Sequence, residues 1–554
     1  MSCTSSSMCS VCDESLEKDD KSNTTMLPLL ILLFLTSAAG QSQNQTRTET
    51  ETSSNPPKEF MISMADRMEL LLLDRELISN LVQYADKLQE KVNVLQRCAK
   101  AMRTPLQASK GREEEYLSNP LHSFQLIRHM HEDWSHLEKF MRQPVGQDQI
   151  SFLKNKATKF PSVEETEDAT EAIYRIILTY NVQPADLDQG LIDGMHYNSS
   201  ISVKDCFSLG SLFFQWGEYG KAAEMLAYSL DQVNPEYYSV YDVLEFESSE
   251  VFMLLARCLV EMDMEEDART TLMAHPALVE HSERLLTLYR NTRHVPVSWK
   301  LMPFLPEEFN QICRYSHQNK PSRLHCRYNT TTTPFLRLAP LRMEELSLDP
   351  YIVVYHNVLS DAEIAEVERV TEPLLKRSVV FDGKENKMST SKKRTALGAW
   401  LPDDNMDVSG RAVIQRILRR IHELTGLIMN DRQDMQLIKY GYGGHYDIHF
   451  DYFNTSSPIT KARGDRMATV LFYLNDVKHG GSTAFTDLQL KVPSERGKVL
   501  FWYNMRGETH DLDSRTLHGA CPVIDGTKSI LSCWIHELDQ MFIQPTYRSG
   551  NRLS

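Results

Sequence analysis

Three side chains with metal-ligating chemistry fall into a pattern that could serve one ion. In the run Gly443-Gly444-His445-Tyr446-Asp447-Ile448-His449-Phe450-Asp451, the pair His449 and Asp451 stands two positions apart. On a strand, two such side chains leave the same face, so an imidazole and a carboxylate share one point in space. A third donor must come from elsewhere, and His518 in Thr516-Leu517-His518-Gly519-Ala520 supplies it from a separate strand-like run. Two histidines and one carboxylate with the opposite positions open suit non-haem iron(II). Zinc could accept the same ligand types, and a lone His-x-Asp pair arises by chance in many chains. Lys528, beyond His518 and after an Asp525-Gly526 turn, could direct an ammonium into the same space. Taken alone it reads as a solvated strand lysine; buried beside the other three, it needs an anion.

These residues sit in the last third of the chain, where short β-rich runs (435–440, 446–452, 469–474, 498–503 and 529–535) are punctuated by Gly and Asp. Such a texture, with helical insertions, predicts a β-sandwich or barrel. Upstream the grammar is helical. From Phe60 to about Met102 there is no Pro or Gly, and Leu71, Ile78, Leu81, Ala85, Leu88, Val92 and Leu95 recur with the spacing of a coiled-coil seam, interrupted by Asp74. A long helix of an ordinary bundle would read the same way. Amphipathic helices follow to about Tyr180. Then Leu209-Gly210, Gly217, Ala222, Leu226 and Pro235, echoed by Leu255-Ala256, Asp263, Ala268 and Leu272, give the spacing of a tetratricopeptide helix pair, although a plain bundle fits two imperfect copies as well. Stacked pairs of this kind form a concave surface suited to extended peptides. The expected organisation is a multidomain α+β chain: leader 1–40, linker 41–57, helical region with coiled coil 58–180, repeat-like domain 200–290, Cys-containing linker 300–340 and catalytic domain 341–540.

A length of 554 residues calls for several folded units, and a net charge of -15 gives no basic field for nucleic acid. The apolar run Leu27 to Leu35, ending in Ser37-Ala38-Ala39-Gly40, has the layout of a signal peptide and is too short for a stable membrane span. The acidic stretch before it is a poor n-region, so either Met1 or Met26 could be the start. Cleavage there would remove Cys3, Cys9 and Cys12 and leave an odd set of seven cysteines from Cys98 to Cys533. Cys313 and Cys326, close in sequence, are the expected disulfide pair, a loop that would contribute about 3 kcal/mol. Sequons at Asn44, Asn198, Asn329 and Asn454 fit a luminal glycoprotein.

The residues also carry a resemblance that covers most of the chain. Tyr440-Gly441-Tyr442-Gly443-Gly444 leading to His449-Phe450-Asp451, Arg466-Met467-Ala468-Thr469, Gly480-Gly481-Ser482-Thr483, Phe501-Trp502-Tyr503-Asn504, His518-Gly519-Ala520-Cys521-Pro522-Val523, Lys528 and Trp534-Ile535-His536 resemble the α subunits of collagen prolyl 4-hydroxylases. The resemblance implies a double-stranded β-helix (jelly roll) in which His449, Asp451 and His518 bind Fe(II) and Lys528 pairs with the distal carboxylate of 2-oxoglutarate. It further implies that Tyr440 and Thr483 help seat this cosubstrate, that His536 lies near its 1-carboxylate, and that Arg394, Arg466 and Trp534 lie near the peptide. Dioxygen is then the co-reactant, ascorbate (vitamin C) the reductant, and proline in collagen-like or other proline-rich secreted proteins the substrate. Protein disulfide isomerase is the implied β subunit of an α2β2 tetramer in the endoplasmic reticulum lumen, joined through the coiled coil of two α chains. That partner would carry retention, since Gly550-Asn551-Arg552-Leu553-Ser554 is no retrieval signal of the KDEL type.

Two departures from the family stand out. Its repeat domain lines a groove with tyrosines for a polyproline II helix, whereas Val251-Phe252-Met253-Leu254-Leu255-Ala256-Arg257-Cys258-Leu259 has none; Phe214, Trp216 and Tyr219 could compensate or be core. Cys521 matches a cysteine whose usual partner near the C-terminus is missing here, which leaves Cys533 as an alternative. The rival functions are a catalytically silent peptide-binding or assembly subunit and a dioxygenase acting on a non-collagen secreted substrate.

Overall fold

The run without Pro or Gly folds as one helix, α1 (Met64–Ser109), opened by Ser63, whose hydroxyl accepts from the Asp66 amide. It continues past the expected end near Met102 and takes Pro105 inside it. Leu71, Ile78, Leu81, Leu88 and Val92, the expected seam, remain exposed along it. In this computed structural model the described residues are 60–273, 305–315, 323–382, 387–390, 393–401, 406–429, 434–453, 458–507 and 509–540. The leader and linker expected over 1–57 lie outside them. Among the described residues no helix is long and apolar enough to cross a membrane.

A second helix, α2 (Gln147–Lys156), is tied to α1 by Asn80 and Lys87, which donate to the Gln149 carbonyl and side chain at 3.0 and 2.9 Å. Next comes α3 (Val163–Tyr180), started by a reciprocal capping box between Ser162 and Glu165. The repeat-like region follows as two helix pairs, α4 (Val203–Gln215) with α5 (Tyr219–Asp231), and α6 (Ser248–Glu261) with α7 (Glu265–Met273). The small residues singled out in the sequence do the packing. A Cβ on Gly210 would stand 2.7 Å from Leu226, so only glycine lets α4 and α5 approach this closely, and Ala222, Ala256 and Ala268 are buried where helices meet. Tyr174, Ile177, Leu209, Phe213, Leu226, Val251 and Leu255 form one core there. Trp216 belongs to it as well, with its ring 4.8 Å from Tyr174.

The C-terminal, sheet-rich half is built from β1 (Cys326–Asn329), β2 (Leu341–Leu348), β3 (Tyr351–His356), β4 (Lys376–Arg377), β5 (Leu397–Trp400), β6 (Met435–Tyr440), β7 (Tyr446–His449), β8 (Arg466–Tyr473), β9 (Thr483–Phe485), β10 (Leu490–Val492), β11 (Val499–Tyr503), β12 (His518–Ala520) and β13 (Lys528–His536). The large sheet has the order β1-β2-β3-β11-β8-β13-β6-β5-β4 and the small one β7-β12-β9-β10, with every pairing antiparallel. Alternation along β13 sends Leu531, Cys533 and Ile535 against two helices, α9 (Asp361–Thr371; α8 is placed below) and α10 (Val408–Thr425), which cover the outer face of the large sheet. Residues of opposite parity point between the sheets, where Ile438, Tyr440, Tyr473, Phe485, Trp502 and Ile530 form a second core. Two antiparallel sheets packed in this way are consistent with a jelly roll.

One short helix, α8 (Glu307–Arg314), corrects the expected disulfide. Cys313 is bonded to Cys521, 208 residues downstream, while Cys326 is free and exposed and Cys533 is free and buried. Nearness along the chain favoured Cys326, but folding seats α8 on the small sheet and carries Cys313 to Cys521. Closing so long a loop constrains the unfolded chain by about 5 kcal/mol.

Gly210→Val should cost about 1–3 kcal/mol by overpacking the α4/α5 crossing, seen as a lower denaturation midpoint in urea, whereas Gly507→Ala, where a Cβ meets nothing within 4 Å, should leave the midpoint in place.

Candidate metal centre

The small sheet brings the two histidines together. β7 and β12 run antiparallel with His449 opposite His518 after an irregularity in register between Tyr446 and His449, and β7 ends at His449. Asp451 therefore lies on the bend after β7 rather than on the strand, as the spacing had suggested. The bend still turns its carboxylate inward. Asp451 Oδ1 is 3.6 Å from His449 Nε2, and Oδ2 is 3.9 Å from His518 Nε2. Ligand atoms of all three side chains lie within 4.8 Å of one another.

The backbone fixes the tautomers. His449 Nδ1 donates to the Asp447 carbonyl at 2.8 Å and His518 Nδ1 to the Thr516 carbonyl at 3.0 Å. Each ring thus turns an Nε2 lone pair toward Asp451, the arrangement metal-binding histidines need. Burial, reinforced by neighbouring His518, pushes the His449 pKa down and keeps the ring neutral. For Asp451, burial alone would raise the pKa, yet the net shift is downward, with the Arg466 charge and a hydroxyl bond among the groups that favour the ionised carboxyl. That hydroxyl is Thr469 Oγ1, donating to Asp451 Oδ2 at 2.7 Å and itself accepting from Asn504 Nδ2 at 3.0 Å. Neither residue was assigned a role from sequence, although a threonine facing inward on an apolar strand is the signal that could have found it.

Lys528 occupies the first position of β13, opposite Tyr440 on β6, and is 1% exposed. Its Nζ lies 3.4 Å from Thr483 Oγ1, which also accepts from the Tyr473 hydroxyl at 2.9 Å, and 5.7 Å from the Tyr440 and Tyr473 ring centres. Among the described residues no carboxylate faces it, and burial alone pushes its pKa down to about 7. Two histidines, one carboxylate and a buried ammonium without an anion fit a divalent metal together with an anionic ligand.

Arg466 lies between the rings of Trp534 and Phe453, 3.9 and 4.2 Å from their centres, and Trp534 leans on half-exposed Trp400 at 5.6 Å. Arg394 crosses the Tyr446 ring at 4.9 Å and donates to Gln436 Oε1 at 3.0 Å. The Nε atoms of both arginines and Nε1 of Trp534 are buried and have no hydrogen-bond partner among the described residues. His536 faces away from this group: its Nδ1 donates to the Gly464 carbonyl at 3.1 Å and its Nε2 lies 3.4 Å from Asp434. The three aromatics of the repeat region separate. Trp216 is core, whereas Phe214 and Tyr219 are half-buried, 5.5 Å apart, with Arg257 4.7 Å over Phe214.

Known proteins carry the same two parts. Residues 63–194 match the family described as Prolyl 4-Hydroxylase alpha-subunit, N-terminal region, and residues 435–536 match the 2OG-Fe(II) oxygenase superfamily. The chain is 28% identical over 549 residues to prolyl 4-hydroxylase subunit alpha-2 of Gallus gallus, covering 95% of this chain and 99% of that protein. Against subunit alpha-1 of Homo sapiens it is 27% identical over 515 residues, covering 88% and 95% respectively. A solved structure of a viral collagen prolyl hydroxylase from Paramecium Bursaria Chlorella virus-1 aligns with 33% of this chain and 95% of its own at 23% identity, with a TM-score of 0.26. The catalytic half is thus a 2OG-Fe(II) oxygenase, with its donor triad inside the matched residues. Both parts occur in this order, and the chain is similar over most of its length to prolyl 4-hydroxylase α subunits.

Thr469→Val removes the hydroxyl that orients Asp451 while keeping the shape of the side chain. Metal affinity should fall by about 10–100-fold, measured by Mn(II) titration followed by electron paramagnetic resonance.

Proposed function

We propose that the chain is the catalytic α subunit of a prolyl 4-hydroxylase, acting on prolines of collagen-like or other proline-rich secreted polypeptides. The observation that carries this reading is the buried, anion-free Lys528 in the same inter-sheet space as His449, Asp451 and His518. Fe(II) with 2-oxoglutarate and dioxygen would supply the oxidative chemistry that places a hydroxyl on proline C4 and yields succinate and carbon dioxide. The protein's own part is orientation. His449, Asp451 and His518 would hold the metal from one side and leave the other open. Lys528, with the Thr483 and Tyr440 hydroxyls, would fix the far carboxylate of the cosubstrate, and the apolar wall of Tyr473, Phe485 and Trp502 keeps water out. The family resemblance of Trp534-Ile535-His536 is what supports His536 near the 1-carboxylate, and we assign Arg394, Arg466 and Trp534, whose buried N–H groups have no partner among the described residues, to the peptide.

Of the three aromatics singled out in the repeat region, Phe214 and Tyr219 are open enough to meet a proline-rich segment, and Trp216 packs inside. The exposed seam of α1 would pair two α chains, with protein disulfide isomerase completing an α2β2 assembly in the endoplasmic reticulum lumen and ascorbate as reductant. Asn198 is exposed and open to glycosylation, whereas Asn329 is buried with Nδ2 bonded to Thr332 and Tyr355. A silent binding subunit would have no use for the full set of four polar groups.

Incubated with iron(II), ascorbate, 2-oxoglutarate and a (Pro-Pro-Gly) repeat peptide, the chain co-produced with protein disulfide isomerase should form succinate matched by 4-hydroxyproline, and His449→Ala should abolish both. Succinate without hydroxyproline would redirect the search to another substrate; no turnover in the intact assembly would favour the silent subunit.

The pKa of Lys528 gives a separate test. Burial holds the free ammonium near pH 7, and an anion would raise it, so binding of 2-oxoglutarate to the metal-loaded protein should take up a proton above that pH. Affinity should be greatest below pH 7 and fall by up to about tenfold per unit as pH rises through it. Calorimetry in buffers of different ionisation enthalpy reads this uptake, which Lys528→Met should eliminate.

A further inference from the structure

The ligand His518 stands at the start of a strand held from outside by a helix that precedes the whole catalytic half. Helix α8 lies against the small sheet, with its Phe309 ring, fully buried, against Gly519. A Cβ on Gly519 would stand 2.9 Å from that ring, so the residue after the ligand must be glycine for the helix to seat. Two residues further on, Cys521 is bonded to Cys313 of α8, with both cysteines buried. The Cys521 amide donates to the Ser482 carbonyl at 2.9 Å, beside Thr483 on β9. Lys491, on β10 of the same sheet, donates to the Cys313 carbonyl at 2.9 Å, and Arg314 donates to the Leu178 carbonyl at the end of α3. The strand carrying one metal ligand, and its neighbour carrying Thr483, are therefore fastened to the helical half by one covalent bond, one ring and a cap of polar contacts.

We propose that the Cys313–Cys521 disulfide is a positioning device for the metal centre: it clamps α8 onto the outer side of β12, holds His518 in ligating register, and makes metal affinity depend on the redox state of this bond. Reduction by a dithiol would break the S–S bond, leaving two electrons and two protons on the Cys313 and Cys521 thiols while the dithiol closes to its own disulfide. Phe309 then packs without its tether, and β12 is held by its strand pairings alone. Exposed Cys326 has no part in the clamp.

The inference rests on the metal reading of His449, Asp451 and His518, and the test separates the two. Peptide mapping of the full chain in its purified assembly should find Cys313 linked to Cys521; a Cys313–Cys326 linkage in active protein would overturn the clamp. Mn(II) titrations then compare wild type, Cys326→Ser, the double variant Cys313→Ser/Cys521→Ser, and wild type reduced with dithiothreitol and desalted without oxygen. Cys326→Ser should bind as wild type does, and the other two at least about tenfold more weakly. In turnover the KM for iron should rise while kcat at saturating iron is retained. A staple that serves stability alone would lower the melting temperature and leave metal affinity unchanged, and that result would overturn the proposal. Should the double variant fail to fold, the reduced wild type gives the same reading. Failure of wild type to bind Mn(II) at all would instead overturn the metal reading, and the clamp with it.

Discussion

Burying an ammonium costs several kcal/mol unless an anion meets it, and Lys528 is buried between two sheets with hydroxyls and aromatic rings around it but, among the described residues, no carboxylate. The rest of the catalytic half is arranged around tolerating that cost. The large sheet is stiffened from outside by α9 and α10, whose apolar faces press on Val470, Phe472, Leu531, Cys533 and Ile535. Its inner face can then hold Lys528 and Thr469 in place without collapsing onto them. The small sheet supplies the opposite wall and both histidines. A polar site of this kind destabilises the apo fold and is relieved by what binds there, so the scaffold's apolar cores and the site's polar groups are two sides of one balance.

Much of this was legible in the sequence because side-chain parity survives local error. The runs at 435–440, 469–474, 498–503 and 529–535 are strands to within a few residues at either end, and Lys528 was read as able to direct its ammonium inward, whereas Tyr440 came only with the family resemblance and Thr469 was given no role. His449 and Asp451 were correctly brought together for a reason only half right: the strand ends at His449, and a bend delivers the carboxylate. Long-range pairing was not legible. Cys313 had a near neighbour in Cys326 and a true partner 208 residues away, and no periodicity within α8 announces which sheet it will meet. Trp216 posed the same difficulty, since an aromatic at the end of a repeat helix reads alike whether it faces a groove or, as here, Tyr174 and Phe213.

The helical half is part of the catalytic wall. Helix α3 lies behind the Gly441–Gly444 turn that leads into β7; Arg175 Nε donates to the Gly443 carbonyl at 2.9 Å, and a Cβ on Gly443 would stand 2.5 Å from Ala172. With φ at +61°, Gly443 combines a left-handed backbone with close contact, two reasons for glycine at one position. Near the end of the same helix, the Tyr180 hydroxyl donates to the Pro522 carbonyl at 2.7 Å, and Val523 next to it pairs with the Gly443–Gly444 backbone. The loop before His449 and the loop after His518 are thus both read by one helix.

This shared construction bears on how the enzyme divides its labour. Leu209, Phe213 and Val251 of the helix pairs belong to the same apolar cluster as Phe309, Ile312, Ala484, Cys521 and Ile524. Removing the helical half would uncover Phe309 and the outer side of β12, leave the Gly443 carbonyl without its Arg175 donor and the Pro522 carbonyl with the Gly481 amide but not the Tyr180 hydroxyl, and delete one end of the disulfide. The matched oxygenase region, residues 435–536, carries every proposed metal ligand, yet part of what keeps those ligands in register lies outside it. The repeat-like helices and the candidate metal centre are therefore successive layers of one packed body, and a segment bound against Phe214 and Tyr219 would press on the same core that backs His518.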